Sequence, residues 1–409
     1  MGKLLDHYQA ISVLLISLLP PFMLFHDIEA NYGVPYDFLF LVTAFNLLIC
    51  FTFVSKKIHF NRLQRSIFIQ YIIISIYLAF VAMTYYDRSL SLIYFKTYIK
   101  NIALGLLVLC VMSNKHFPKE LYVRKYGGLM LVLSLFSVVL FGLYLGGAAT
   151  YYVFHFSYDE VRHFPYYRVL FLGYLNSVNY GFSARSQSFY TEAAQFAQVL
   201  QVPLGLSLIR VKVRGALYSL VKIIIIAAGF ALTFSVANYF AFGAMYVVYV
   251  LVNSRLKATY RMYLGSLAIA VLVVYLLFTL YDAAQGEYAS TLFAKNIEQQ
   301  DVIRGGRMSY AFSALNNSLV GDIRQKIEYD RNPGVIGNLA MIGGYPLLFL
   351  VGGLILSVTK SIFPYLRHSK NALIFFCFLG FLISHLWYGD FLGVLFIHQM
   401  AFISLFIER

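Results

Sequence analysis

The sequence predicts an all-α polytopic membrane protein of about twelve transmembrane helices, with both termini cytoplasmic and two long extracytoplasmic loops. Three observations predict it. Hydrophobic residues make up 60% of the 409 positions and charged residues only 12%, far too little polar surface for a water-soluble globule. The apolar residues fall into runs long enough for a helix to cross the hydrocarbon core, where only a backbone bonded within itself survives. The connections then sort by charge, nearly every short one on one side being basic while most carboxylates fall on the other.

The first run, Tyr8 to His26, has no small-residue cleavage site after it and is interrupted by Pro20-Pro21, so it reads as a kinked span and not as a cleavable signal peptide. Tyr36 to Val54, Ile67 to Tyr86, Tyr94 to Ser113 and Gly127 to Gly147 follow as apolar runs of helical length. Ala193 to Ile209, Leu217 to Phe234, Asn238 to Asn253 and Tyr263 to Tyr281 come after one long connection. Ile336 to Val358, Ala372 to Tyr388 and Phe391 to Phe406 come after another. Together these spans read as a single polytopic domain over residues 1–409, with its long loops at about 148–192 and 282–335.

The positive-inside rule orients the chain. Lys3; Lys56, Lys57, Arg62 and Arg65; Lys115, Lys119, Arg124 and Lys125; Arg210, Lys212 and Arg214; Arg255, Lys257 and Arg261; Lys360, Arg367 and Lys370; and Arg409 all fall inside. Of the acids, only Asp6, Glu120 and Glu408 share that side. The net charge of +14 therefore reflects topology and contact with anionic lipid heads, and no nucleic-acid partner is expected. Cys50, Cys110 and Cys377 lie far apart inside predicted spans without metal-ligand spacing, so they read as small core residues. There is no Gly-rich phosphate loop, no HExxH and no aspartate pair at metal-binding spacing, so neither a metal nor another cofactor is expected.

Both connections are too long for simple turns, and the first is too aromatic for a solvated coil. The first carries Tyr151-Tyr152, Phe154, Phe156, Tyr166-Tyr167, Phe171, Tyr174, Tyr180, Phe182 and Tyr190. Such rings suit a membrane interface, and they also stack on sugars. Arg162, Arg168 and Arg185 lie in the first loop and Arg304, Arg307, Arg324 and Arg331 in the second. A guanidinium binds phosphate oxygens through paired donors, and Arg304-Gly305-Gly306-Arg307 adds glycines that let backbone amides approach an anion. Pairing with Asp301, Asp322, Glu328 and Asp330 within the loop is the alternative use of these charges. Lys96 and Lys100 are four apart, hence on one helix face in the outer half of the fourth span, where they either hold an anion or reach the headgroups. Lys222 needs only to reach the cytoplasmic headgroups, and His385 and His398 read as core or pocket residues of the last two spans.

The stretch from Ala184 and Arg185 through Ser186, Gln187, Ser188, Phe189, Tyr190, Thr191 and Glu192 to Ala197 resembles bacterial O-antigen and capsular polysaccharide polymerases, relatives of the O-antigen ligases. Arg185 and Glu192 stand where that family places an Arg and a Glu at the start of a span. Arg162 and Gly173, ten residues between them, Thr233-Phe234-Ser235, and Gly337-Asn338 through Gly343-Gly344 to Leu347 are similar to further family motifs in the same order. The resemblance covers about residues 150 to 350.

It implies a metal-independent glycosyltransferase of the bacterial cytoplasmic (inner) membrane. Its substrates would be polyprenyl-diphosphate-linked oligosaccharide repeat units on the outer face, and its partners membrane lipids and a chain-length regulator protein. Arg185 and Arg307, with Glu192, would be catalytic, and Arg162, Arg168, Arg304, Arg324, Lys96 and Lys100 would bind substrate. Glu192 would be either the base for the acceptor hydroxyl or the anchor of Arg185, with His155, Asp159, Glu160 and His163 as weaker candidates for the base. The second loop has no His, unlike the related ligases, which favours a polymerase over a ligase; a flippase for the same lipids is the other alternative. A flippase would line its spans with ionic groups, and here those are essentially Lys96, Lys100 and Lys222.

Overall fold

The computed structural model describes residues 2–18, 36–54, 58–84, 89, 98–148, 150–155, 163–168, 172–176, 185–190, 193–210, 216–252, 319–321, 334–368, 371–388 and 390–407. The predicted span Tyr263 to Tyr281 and nearly all of the second long loop lie outside the described residues.

Eleven α-helices occur among the described residues. They are α1 (Gly2–Leu14, continued by a 3-10 turn over Leu15–Leu18), α2 (Tyr36–Val54), α3 (Arg62–Thr84), α4 (Lys100–Met112), α5 (Lys119–Leu145), α6 (Ala193–Arg210), α7 (Ala216–Ala231), α8 (Val236–Val252), α9 (Gly334–His368), α10 (Ala372–Tyr388) and α11 (Val394–Ser404). Three of them, α3, α5 and α9, are long and apolar enough to cross a membrane. The expectation of a mostly helical protein with membrane-spanning helices holds at that level.

Equal spans are not what the described helices form. α4 and α11 have 13 and 11 residues, against 23 and 27 in α3 and α5. The short helices are tied at one end of the bundle. Asn61 and Gln64 cap α3 reciprocally, each backbone N–H donating to the other's side-chain oxygen at 2.9 and 2.8 Å. Their side-chain amides then donate to the Ser404 carbonyl and hydroxyl at 3.0 Å each, fixing the last turn of α11 beside the first turn of α3. The His59 amide donates to the Ser113 carbonyl at 3.0 Å and fixes the end of α4 at the same level. At 1.5 Å per residue α3 reaches about 35 Å from this end and α11 about 17 Å, so α11 begins well short of the far end of α3.

α4 and α11 run parallel and touch, since a Cβ on Gly105 would lie 2.6 Å from Ile397 Cδ1. Gly105→Ala is accordingly expected to destabilise the protein by about 1–3 kcal/mol through overpacking, read as a lower melting temperature in detergent.

α9 is two helices joined at a kink. Gly344 has φ 63° and ψ −156°, which only glycine adopts without strain. Residues 319–321 of the second long connection dock into the break, where Tyr345 N–H donates to the Leu319 carbonyl at 3.2 Å. The Tyr77 hydroxyl of α3 donates to the Gly343 carbonyl at 2.5 Å. Backbone groups freed by the break are thus satisfied inside the bundle, the condition for non-helical chain at membrane depth.

One correction concerns the all-α expectation for the first long loop. It folds into an antiparallel sheet of four strands in the order β1 (Thr150–His155), β2 (His163–Arg168), β3 (Tyr174–Asn176) and β4 (Arg185–Ser188). The run of aromatic and β-branched residues that argued against a solvated coil is also what a pleated strand favours. Pro165 pairs with Val153 just beyond the reach of β3, whose last partner is Tyr166, so β2 loses no ladder bond on that side. Leu175 and Leu172 pack on Leu140, Phe141 and Tyr144, placing the sheet on the far end of α5. Gly173 (φ 115°) lies where a Cβ would meet the Ser188 carbonyl at 2.8 Å, which makes glycine necessary for β3 to approach β4.

Candidate functional site

β4 leaves the sheet and enters the bundle. Ser186, Gln187, Ser188, Phe189 and Tyr190 are all buried, and Tyr190 stacks on Phe196 at 5.7 Å. Burial, with Tyr126 nearby, pushes the Tyr190 phenol well above its ordinary range, so it stays neutral.

Arg185 opens this strand and is half-buried. Its Nε–H donates to the Thr233 carbonyl at 3.0 Å, and the Ser186 amide donates to the Leu232 carbonyl at 2.8 Å. The turn after α7 thus acts as a further strand edge for β4. Phe234 in that turn has φ 45°, a left-handed conformation costing a side-chain residue about 1 kcal/mol, and its ring packs on Phe141 of α5 at 6.2 Å. The Tyr239 hydroxyl, bonded to the Ala231 carbonyl, lies within electrostatic reach of Arg185. Two stretches 48 residues apart, Arg185 and Thr233-Phe234-Ser235, are therefore brought together.

Below them runs a buried polar network. Asn238 of α8 donates through Nδ2 to Ser235 Oγ at 2.8 Å and to the Ala194 carbonyl at 3.2 Å. Gln201 of α6 donates through Nε2 to Asn238 Oδ1 at 2.8 Å and to Ser384 Oγ of α10 at 3.2 Å, and Gln198 Nε2 donates to the Ser384 carbonyl at 3.1 Å. A Cβ on Gly380 would lie 2.7 Å from Gln201 Oε1, so that glycine makes room for the amide. Buried amides bonded this way fix α6, α8 and α10 in one register beneath Arg185. Asn238→Ala is expected to cost about 1–3 kcal/mol, because it leaves Gln201 and Ser235 short of a partner; thermal unfolding in detergent reads it.

The remaining expected site residues fare differently. Arg168 ends β2 in register with Tyr174 and, through it, with Ser188, so it lies two strands from β4 and toward the end opposite Arg185. Lys100 stands at the start of α4 with its amine 4.3 Å from the centre of the Phe40 ring of α2, so an aromatic face neighbours the charge. Arg162, Glu192, Arg304, Arg307, Arg324 and Lys96 lie outside the described residues. The choice of Glu192 as anchor of Arg185 meets a competitor in the Thr233 carbonyl. Lys222 places its amine over Gly127 of α5, where a Cβ would come within 3.2 Å.

His398 and the Tyr122 hydroxyl bond to each other, and Gln399 Nε2 donates to the Tyr126 hydroxyl at 2.7 Å, so this polar group knits α5 to α11. His385 differs, because neither ring nitrogen has a hydrogen-bond partner among the described residues. Asn238, Gln198, Gln201 and Ser384 were missed by a reading that weighed only charges within spans. Uncharged amides inside apolar helices were the available signal. Comparison with family models, with curated proteins and with solved structures returns no match.

Proposed function

We propose that this chain is a polymerase of polyprenyl-diphosphate-linked oligosaccharide repeat units, acting on the outer face of a bacterial cytoplasmic membrane. The observation that supports it best is the contact of Arg185 with the Thr233 turn, because it unites two motifs of the resemblance above a rigid polar network. With the basic connections inside, the sheet and Arg185 face outward in this reading.

The resemblance implies the reaction, and the residue types make physical sense of it. A sugar hydroxyl on one lipid-linked unit attacks the anomeric carbon of the growing chain, and the polyprenyl diphosphate leaves with the bonding electrons. Charge grows on that diphosphate as the bond breaks. An arginine whose Nε–H is already committed to a backbone carbonyl presents its terminal N–H groups in a fixed plane, and such preorganised donors act most strongly where water is scarce. The donor is itself activated, so no nucleotide is consumed.

Purified protein in liposomes with labelled lipid-linked repeat units tests the reading. Lengthened glycans and released polyprenyl diphosphate are expected. Movement of label between leaflets without lengthening would mark a transporter, and transfer only onto a lipid A core acceptor would mark a ligase.

A further inference from the structure

In the topology set by the basic connections the second long loop lies outside the membrane, yet its residues 319–321 are seated in the break of α9. We propose that they are the tip of a re-entrant segment, which places Leu319 and Val320 against the acyl chains of the outer leaflet. The lipid contact is then made by the loop itself, and it stands apart from the polymerase reading.

The depth of the tip follows from the helices around the break. α3 and α9 run antiparallel, since the Ser66 and Ser357 hydroxyls bond at 2.5 Å near the cytoplasmic end and Tyr77 reaches the Gly343 carbonyl farther along. Tyr77 lies seven residues before the end of α3 at Thr84, which puts the break about 10 Å below the outer end of that helix. α9 begins at Gly334, about 15 Å of helix above Gly344. Chain that has passed through 319–321 must therefore climb back by roughly that distance before it enters α9.

The seat is shaped for backbone. Gly321 has φ 83°, and a Cβ there would lie 2.7 Å from the Gly344 nitrogen and 2.8 Å from both the Gly343 nitrogen and the Ala340 carbonyl oxygen. The Leu319 carbonyl, which could not stay unbonded in hydrocarbon, accepts the Tyr345 amide. Backbone thus packs on backbone, and the side chains of the tip point away from the bundle, Leu319 being 72% exposed and Val320 40%.

α9 identifies what covers them. Tyr345, Phe349, Leu356 and Phe363 are exposed at spacings of four and seven residues, hence along one face, the face that this span turns to lipid. Leu319 adjoins the first of them through the Tyr345 amide, so Leu319 and Val320 continue the same apolar stripe past the point where the helix is broken. Leucine and valine are favoured in hydrocarbon at this depth, and the stripe they extend already lies in it. The occupant is therefore lipid acyl chain, and the loop is tied to the leaflet at a fixed level.

Tryptophan fluorescence tests this in the full-length protein, because the chain has a single tryptophan, Trp387. In W387F reconstituted in phosphatidylcholine vesicles, L319W is expected to emit at short wavelength and to be quenched by lipid brominated on its acyl chains, as F349W on the α9 stripe is. It is expected to be shielded from aqueous acrylamide relative to K115W, which lies in the exposed turn after α4. Adding G321A, which fills the seat, is expected to lift the tip, so that L319W loses its bromine quenching and gains acrylamide quenching while F349W keeps its own pattern. V320W carries the same expectations if L319W does not fold. Acrylamide quenching at the K115W level overturns the proposal, because the tip would then lie in water. Shielding from acrylamide and brominated lipid alike overturns it too, since protein, from this chain or a second copy, would be the cover. A pattern unchanged by G321A also overturns it, because the contact would not depend on the seat in α9.

Discussion

Arg185→Lys is expected to lower elongation by about 100-fold or more, with the protein still inserted and folded. Lysine keeps the charge but has one ammonium where arginine has a planar fork. In the structure that fork is divided between tasks. Nε–H is committed to the Thr233 carbonyl at 3.0 Å, which orients the plane, and the terminal nitrogens face the ligand in the proposed mechanism. An ammonium that reached the Thr233 carbonyl would have to give up a diphosphate, and one that reached a diphosphate would leave the carbonyl. Single-turnover elongation in nanodiscs checks this, with melting temperature as the control for folding. A lysine variant that elongates like the parent sinks the assigned role.

Gly344→Ala is expected to have the largest effect on stability. The added Cβ would lie 2.1 Å from the Leu319 carbonyl oxygen and 2.7 Å from the Gly321 amide, both backbone atoms with little freedom to move. The residue would also be held at φ 63°, so strain adds to the clash, for a total of about 3 kcal/mol or more. A fall in melting temperature of about 3–4 °C or more follows for a chain of this size. Gly352 and Gly353, in the same helix, are the controls. Nothing lies within 4 Å of a Cβ at either position, so alanine there is expected to be neutral or to stabilise by up to about 1 kcal/mol through helix propensity. Equal melting of G344A and the parent would show that residues 319–321 do not depend on the knuckle. Since those residues belong to the loop that carries Arg304, Arg307 and Arg324, G344A is also expected to slow elongation.

How much of this was readable beforehand depends on the range of the interaction. Helices α2, α6, α7, α8 and α10 lie close to their predicted runs, because long apolar segments leave the backbone no partner but itself. The first helix starts at Gly2, ahead of the predicted Tyr8, since the polar residues between them tolerate a helix that apolar counting does not detect. The last span was expected to cross over Phe391 to Phe406, but its helix begins only at Val394 and has 11 residues, while of the fourth only Tyr98 onward lies among the described residues. Apolar composition records that a segment avoids water and says nothing of whether lipid or protein surrounds it. His398 and Met400, fully buried, are apolar-run residues lodged within protein.

Of the candidate site, Arg185 was singled out by the resemblance of the stretch it lies in, and the aromatic character of the first loop by composition. Its division into four strands was not foreseen, although the aromatic and β-branched run from Thr150 to His155 carried the signal.

The sequence by itself determined that the chain is mostly helical, with helices long and apolar enough to cross a membrane, and which segments are apolar, since those properties depend on composition within one segment at a time. Only the tertiary structure decided that Arg185 meets Thr233 and that Gln201 joins Asn238 to Ser384. Each of these joins positions distant in the chain, and their pairing is set by how unequal helices pack and by where buried polar groups can satisfy one another.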